Sequence, residues 1–255
     1  MLGAVRRSAV IALSIAAALC LPALAAEPPT VAELVARLDA LHGRRDDPAA
    51  LAEARGLADR AVALAPNDYD VLWRAARVAF TDSDVPGRST DDRSKLGKQG
   101  YDLAQRAIAA NPNRVEGHYW AALGIGSYAE GMGVVRALAN GIQGKFLRPL
   151  ERATALDERY DHGSIPAVWA AYYLELPWPK RDRDKAAEQC RRALAINNAN
   201  LRARFYLARI ANDEDRPAEA RALLAEIAAA PVGRYDAPEE RRVKKEAAAL
   251  AAKVK

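Results

Sequence analysis

Apolar and small residues recur at helical spacing along most of the chain, and no segment shows the two-residue alternation rich in β-branched residues that indicates a strand. Residues that typically begin helices occur at positions that agree with this helical pattern. Thr30 and Glu33 have the spacing of a capping box, and Asp47 offers an N-cap before Pro48 in the first turn. We therefore predict an all-α chain with helices near 30–42, 48–65, 69–80, 95–111, 114–130, 134–156, 162–175, 183–197, 200–212, 217–229 and 237–254.

Several of the predicted helices end in similar sequences, at 61–67, 107–113, 153–158 and 193–198, and a fifth ends at Pro231. The anchor positions 66, 112, 158, 198 and 231 are spaced by 46 residues at first and by 33 at last. This spacing approaches the ~34 residues of tetratricopeptide repeats. The chain is thus predicted to form a tetratricopeptide-like helical-hairpin solenoid, with about five helix pairs and a C-terminal capping helix.

Small residues recur at fixed distances from these anchors, where paired helices must approach closely. Five positions before an anchor stand Ala61, Ala107, Ala153 and Ala193, and ten positions after it stand Ala76, Ala122, Val168 and Ala208. Packing residues are expected eight positions before each anchor, at Ala58, Ala104, Leu150, Cys190 and Leu223. The repeat thereby predicts that Cys190 lies in the core.

Two segments depart from the regular repeat. Residues 81–94 are polar and are predicted to form a connector. Residues 117–144 hold seven of the chain's 15 glycines, which indicates either close helix packing or a hinge.

The N-terminus has the three-part composition of a secretory signal: Arg6 and Arg7, an apolar run from 9 to 21, and a small-residue site ending at Ala25. We predict a signal peptide over 1–25, a single repeat domain over 26–255 and an exported, periplasmic protein. Lipidation at Cys20 would add membrane contact, but Leu19 stands where such sites have a small residue. Without the signal, Cys190 is the remaining cysteine and no internal disulfide can form.

Charge does not indicate a nucleic-acid partner. Loss of Arg6 and Arg7 leaves 36 cationic residues against 33 acidic ones, a formal charge of +3 spread along the chain. The basic residues at 241, 242, 244 and 245 alternate with Glu239, Glu240 and Glu246, which predicts the solvated face of a last helix.

The sequence contains no enzymatic motif, and we predict a non-enzymatic protein without cofactor or metal. HExxH, Cys-x-x-Cys, Gly-x-Ser-x-Gly and Walker motifs are missing. His42, His118 and His162 lie on different predicted helices at no metal-ligand spacing.

Aromatic side chains are the main candidates for binding. In tetratricopeptide proteins the first helix of each pair lines the concave groove, and large amphipathic side chains suit a binding surface. Arg77 and Arg209 would be placed to pair with the carboxylate of an apolar solute or with an acidic peptide terminus. The predicted groove contains Trp73, Arg74, Arg77, Tyr119, Trp120, Leu123, Trp169, Tyr172, Tyr173, Phe205, Tyr206 and Arg209. The alternative is that these rings fill gaps between Ala-rich helices.

Four stretches resemble the T-component (TatT-like) proteins associated with TRAP transporters: Gly-Ile-Gly at 124–126, the helix ending at 150–157, Tyr-Tyr-Leu-Glu-Leu-Pro-Trp-Pro at 172–179, and 184–194. The resemblance spans roughly 48–230 and implies an exported accessory protein that works beside a periplasmic solute-binding protein and binds a hydrophobic ligand. Residues 70–77 also resemble the regulator of microtubule dynamics family. The signal-like N-terminus argues against a cytoskeletal role. The remaining alternative is a general envelope scaffold that binds a peptide or assembly partner in the groove.

Overall fold

A computed structural model describes residues 29–254, so the predicted signal peptide and Cys20 lie outside the described residues. That part of the chain is helical and contains no strand. Its twelve helices are α1 (Val31–His42), α2 (Pro48–Leu64), α3 (Tyr69–Ser83), α4 (Thr90–Ala110), α5 (Val115–Met132), α6 (Val134–Ala139), α7 (Ile142–Asp157), α8 (Tyr160–Glu175), α9 (Arg183–Ile196), α10 (Leu201–Asp213), α11 (Pro217–Ala229) and α12 (Ala237–Ala251).

Five antiparallel pairs form the solenoid: α1 with α2, α3 with α4, α5 with α7, α8 with α9, and α10 with α11, followed by α12. This arrangement confirms the predicted fold class. The predicted caps are also confirmed. The Thr30 hydroxyl accepts from the Glu33 amide while the Glu33 carboxylate accepts from the Thr30 amide, and Asp47 caps the helix that Pro48 opens.

Two predicted boundaries were wrong. The single helix predicted over 134–156 is divided into α6 and α7, because Gly141 has a left-handed backbone (φ +69°) that ends one helix and starts the next. The connector predicted over 81–94 is shorter, because α3 continues to Ser83 and the Ser89 hydroxyl caps α4. The polar residues Asp82 and Ser83 belong to the last turn of α3 and are buried.

The small residues of the repeat form the contacts between helices, as predicted. Ala61, Ala107, Ala153 and Ala193 are fully buried, as are Ala76, Ala122 and Ala208 at the second set of positions. Cys190 is buried in the same core, and burial raises the pKa of its thiol to about 12. The repeated small residues therefore mark the positions at which paired helices approach each other closely.

The glycine-rich segment packs α5 against α4. Gly117, Gly124 and Gly131 are seven residues apart and lie on the α4 side of α5. A Cβ atom at Gly124 would lie 2.6 Å from the Tyr101 amide nitrogen, and one at Gly131 would lie 2.5 Å from the Ser94 amide nitrogen. These glycines allow backbone-to-backbone contact, so close packing accounts for them.

The two ends of the described chain meet. Arg45, in the turn between α1 and α2, contacts Asp236 just before α12 at 2.5 Å. Asp46 contacts Arg241 at 2.6 Å, and Asp84, after α3, pairs with Arg242. We call these three contacts the closure ion pairs. Because they join residues 158 to 195 positions apart, the helical array closes on itself.

Within residues 29–254, no helix is both long enough and apolar enough to cross a membrane.

Candidate functional site

The helical array surrounds a cavity of about 1170 Å³ that is partly open to solvent. Its wall is built from the end of α3, the inner face of α5, α6 and the start of α7, one face of α8, the start of α10, and α12. Such a volume exceeds that of most small-ligand pockets. The cavity is therefore large enough for a sizeable ligand or for several side chains of a partner.

The floor of this cavity is apolar and aromatic. The Trp120 ring contacts Phe80 at 5.8 Å between ring centroids and Tyr119 at 5.0 Å. The Phe146 ring stacks on Tyr172 at 5.3 Å, which joins α7 to α8. These rings fix one another in place, so the floor presents rigid apolar surface. The floor residues are Phe80, Tyr119, Trp120, Leu123, Leu138, Ile142, Phe146, Val168 and Tyr172.

The rim of the cavity is charged, but its charges are paired with one another. The buried Asp82 carboxylate binds Arg55 at 3.0 Å and also pairs with Arg88. Asp84 binds Arg93 at 3.2 Å in addition to Arg242. Two cations thus share each carboxylate. Since these guanidinium groups already have anionic partners, the rim has little free positive charge for an anionic ligand.

A second group of paired charges lies where α10 meets α12. Arg202 donates to Glu239 at 2.7 Å and also pairs with Glu246. Although burial opposes ionisation, the Arg202 charge keeps the pKa of Glu239 below its usual range. Lys245 also lines the cavity and forms no ion pair within residues 29–254. Ion pairs therefore neutralise most of the charges at the rim, so the apolar floor is the main surface with which a ligand could interact.

Four of the predicted groove aromatics line this cavity, together with the predicted Leu123: Tyr119, Trp120, Tyr172 and Tyr206. These five predicted groove residues, from α5, α8 and α10, therefore line the same cavity. The phenol of Tyr206 is enclosed, and burial raises its pKa to about 12. That the predicted residues bind a ligand stays a prediction.

Trp73, Arg74 and Arg77 do not line the cavity. The guanidinium carbons of Arg74 and Arg77 lie 4.1 and 4.9 Å from the centre of the Trp73 ring. Both guanidinium groups donate to Asp39 of α1, at 2.8 and 2.7 Å. These residues hold α3 against α1, so Arg77 is not available to bind a carboxylate ligand.

Trp169, Tyr173, Phe205 and Arg209 also lie outside the cavity lining. Trp169 donates through Nε1 to the Thr154 hydroxyl at 3.0 Å and stacks on Tyr173, which fixes α8 against α7. Phe205 is buried in the core between α10 and α12. Arg209 binds Glu175 at 3.0 Å, so it too already has an anionic partner. Trp169 and Phe205 thus pack between helices, and a binding role for any of the four residues stays a prediction.

Sequence reasoning missed the contributions of α7 and α12. Phe80 lies about one turn beyond Arg77, the last groove residue predicted on α3, and Phe146 lies on α7, the second helix of its pair. The prediction that α12 presents a solvated charged face holds only in part: Arg241 and Lys245 are exposed, but Glu240 is fully buried, and its carboxylate accepts from the backbone amides of Gly233, Arg234 and Tyr235. The sequence feature that could have indicated this is the mixture of Arg and Glu in α12, because such a mixture is compatible both with ion pairs to other helices and with exposure to solvent.

A strained turn borders the cavity at the start of α8. Asp161 and His162 have left-handed backbones (φ +50° and +58°), followed by Gly163 at φ +82°. A Cβ atom at Gly163 would lie 3.1 Å from the Ala193 carbonyl oxygen, so the turn is held against α9. The Asp161 carboxylate accepts from the Ser164 hydroxyl at 3.0 Å, which helps to hold this turn.

Histidine and acidic side chains in the described part of the chain form no group of three or more that would hold a metal ion.

Comparison with known proteins gives both a fold and a family. The solved structure described as TTC0263, a thermophilic TPR protein of Thermus thermophilus, matches with a TM-score of 0.61 over 86% of this chain and 96% of its own, at 22% identity. That likeness shows the tetratricopeptide-like fold. The resemblance to T-component proteins stays a prediction.

The family model described as "Regulator of microtubule dynamics protein 1-3" matches residues 34–182, more than half of the chain. The curated proteins named regulator of microtubule dynamics protein 1 from Bos taurus and Mus musculus are 28% and 27% identical over 116 residues. The match covers 45% of this chain and 36–37% of those relatives, so the chain spans about a third of their length. The chain belongs to the regulator of microtubule dynamics protein 1-3 family.

Proposed function

We propose that this chain is a non-enzymatic binding scaffold whose large cavity holds an uncharged, apolar group. The observation that carries the proposal is the pairing of an aromatic floor with a rim whose arginines are already neutralised by Asp82, Asp84, Glu239 and Glu246. A ligand gains by removing apolar surface from water, and it need not bring a charge. The apolar group is either a small hydrophobic molecule or the side chains of a partner protein.

The cellular role that we propose is that of an exported accessory protein of solute uptake, bound to a periplasmic solute-binding protein. The signal-like composition of 1–25 and the resemblance over 48–230 support this role. A general envelope scaffold that binds a peptide in the same cavity is the alternative. The name of the relatives suggests a third role, in microtubule dynamics, which requires a cytosolic location. Fractionation of the source cells separates the exported roles from the cytosolic one.

Native mass spectrometry of the protein purified gently from its own cells tests the binding proposal. We expect a bound apolar molecule or a stoichiometric protein partner, and we expect it to be lost in Trp120→Ala. Trp120 belongs to the core, so Trp120→Ala could unfold the protein instead of only emptying the cavity. Trp120→Phe and Leu123→Gln change the cavity floor less, and we expect them to weaken binding while they keep the native helix content. The matched control is Leu64→Ala, because Leu64 is exposed and lies outside the cavity.

The identity of the bound molecule distinguishes between a small-ligand site, a role in solute uptake and a general envelope scaffold. A small molecule supports the ligand version, and a solute-binding protein supports the uptake role. Another envelope protein, lost in the same variants, supports the general scaffold. A partner that all cavity variants retain, or an empty protein, contradicts binding in the cavity.

A further inference from the structure

One tryptophan is displayed to solvent, unlike the other three. The Trp178 side chain is 89% exposed, whereas Trp73 and Trp120 are buried and Trp169 is half-buried. Trp178 stands in the Leu-Pro-Trp-Pro sequence at 176–179, between α8 and α9. Neither the fold nor the cavity accounts for this exposed ring.

The turn that carries Trp178 is held in place. The Lys180 amide donates to the Pro177 carbonyl at 2.9 Å, and the Arg181 guanidinium donates to the Leu176 carbonyl at 3.2 Å. The Asp182 amide donates to the Tyr173 carbonyl of α8 at 3.2 Å. Trp178 therefore projects from an ordered turn that loses little conformational entropy when it binds.

A second exposed apolar residue lies at the same end of the molecule. Contacts between α7 and α8 show that these helices run antiparallel: Trp169 meets Thr154, whereas Tyr172 meets Phe146 and, at 2.6 Å, Gln143. The start of α7 is thus level with the end of α8. The short helix α6, which precedes α7, carries Val135 with 71% of its surface exposed.

Both segments are basic. Residues 131–150 contain Arg136, Lys145 and Arg148 and no acidic residue, and residues 176–181 contain Lys180 and Arg181 between Glu175 and Asp182, which pair with Arg209 and Lys185. All five cationic side chains are exposed. Their segments lie at the same end of the molecule, and on that basis we call Val135, Trp178 and these five cations the basic aromatic face.

We propose that the basic aromatic face docks on the surface of a membrane that contains anionic lipid. Tryptophan and Lys or Arg side chains are the residues that settle at the boundary between headgroups and acyl chains, and each cation near an anionic surface strengthens binding. A protein partner suits the face less well. One Trp and one Val supply at most a few hundred Å² of apolar surface, which is small for the apolar core of a stable protein interface that buries about 800 Å² on each partner.

Vesicle sedimentation of the processed chain, without the predicted signal peptide over 1–25, tests this proposal. We expect binding to vesicles of phosphatidylcholine with one third phosphatidylglycerol, and weaker binding to phosphatidylcholine alone. Trp178→Ala should weaken binding roughly tenfold, and Lys180→Glu or Lys145→Glu should each weaken it at least about fivefold. These side chains are exposed, so the variants should fold normally.

Two controls make the test specific. Lys253→Glu changes the net charge by the same amount at the exposed C-terminal end, and Leu64→Ala removes an exposed apolar side chain from α2. Both should bind vesicles like the wild type. Brominated lipid should quench the fluorescence of the wild type more than that of Trp178→Phe.

Three results would overturn the proposal: no binding to anionic vesicles at low salt, equal binding to neutral vesicles, or unchanged binding of Trp178→Ala. A protein partner that is lost in Trp178→Ala without vesicle binding would assign the face to that protein instead. The proposal does not depend on what occupies the cavity.

Discussion

Arg241 in the last helix donates two hydrogen bonds to Asp46, 195 positions earlier, with Nε–Oδ2 and Nη2–Oδ1 distances of 2.6 and 3.0 Å. In an open solenoid each repeat contacts only its neighbours. Here α12 reaches the turn between α1 and α2, so the two ends of the array meet beside a cavity that is partly open to solvent.

The closure ion pair between Asp84 and Arg242 should contribute measurably to stability. A double-mutant cycle with Asp84→Ala and Arg242→Ala should give a coupling free energy of about 0.5–1 kcal/mol, since both side chains are partly exposed. The measurement is urea unfolding at low salt and at about 1 M NaCl, where screening should reduce the coupling. No coupling at low salt would mean that this contact does not hold α12 in place.

Gly124→Ala should destabilise the protein by about 2 kcal/mol or more, because the new methyl group would be forced against the backbone of α4. Gly144→Ala is the matched control: it lies within α7 with no atom within 4 Å of its Cβ position. It should stabilise the protein by about 0.5–1 kcal/mol. Urea unfolding of both variants checks the pair. Equal effects would argue against close packing of α4 and α5.

Glu240→Ala should destabilise the protein by about 3 kcal/mol, because three backbone amides of residues 233–235 would lose a buried acceptor. Glu240→Gln keeps one oxygen acceptor and should be less damaging. Hydrogen exchange of those three amides, measured beside unfolding, should show that protection is lost locally. Unchanged protection in the alanine variant would exclude this role of Glu240.

Acidification should weaken the fold through His42. Burial, with Arg77 and Arg45 nearby, holds the pKa of His42 well below its ordinary value of 6.5. The unfolded chain therefore takes up a proton that the folded chain does not as the pH falls through 6.5, and the free energy of unfolding decreases.

His42→Gln should reduce this pH dependence. Urea unfolding of the wild type and the variant at about pH 8 and about pH 5 provides the comparison. His118 and His162 are present in both proteins, so their contributions cancel. An identical loss of stability in both would show that His42 is not the group responsible.

The fold could be predicted well from the sequence because small residues recur at the same position of each repeat. Ala61, Ala107 and Ala153 mark positions where only a small side chain fits between paired helices, and each is fully buried. The cavity was harder to predict. Sequence spacing placed Trp73 and Trp120 on the same side of the array, but Arg74 and Arg77 cover Trp73 while Trp120 remains on the cavity floor.

Closure could not be predicted from local patterns. Arg241 and Arg242 alternate with glutamates in a way that suits water or a distant helix equally well. Their partners, Asp46 and Asp84, lie about 150 to 200 positions away and carry no matching motif.

Closure of the array around the cavity is the central claim, and a distance between the two joined ends tests it most directly. Nitroxide labels at Arg44→Cys and Ala248→Cys, in a Cys20→Ser background, would lie at exposed positions on the two sides of the closure ion pairs. Cys190 is buried and its pKa is raised to about 12, so it should escape labelling. Double electron–electron resonance should give one narrow distribution at short distance. A broad distribution that extends to the length of an open solenoid would contradict the closed array.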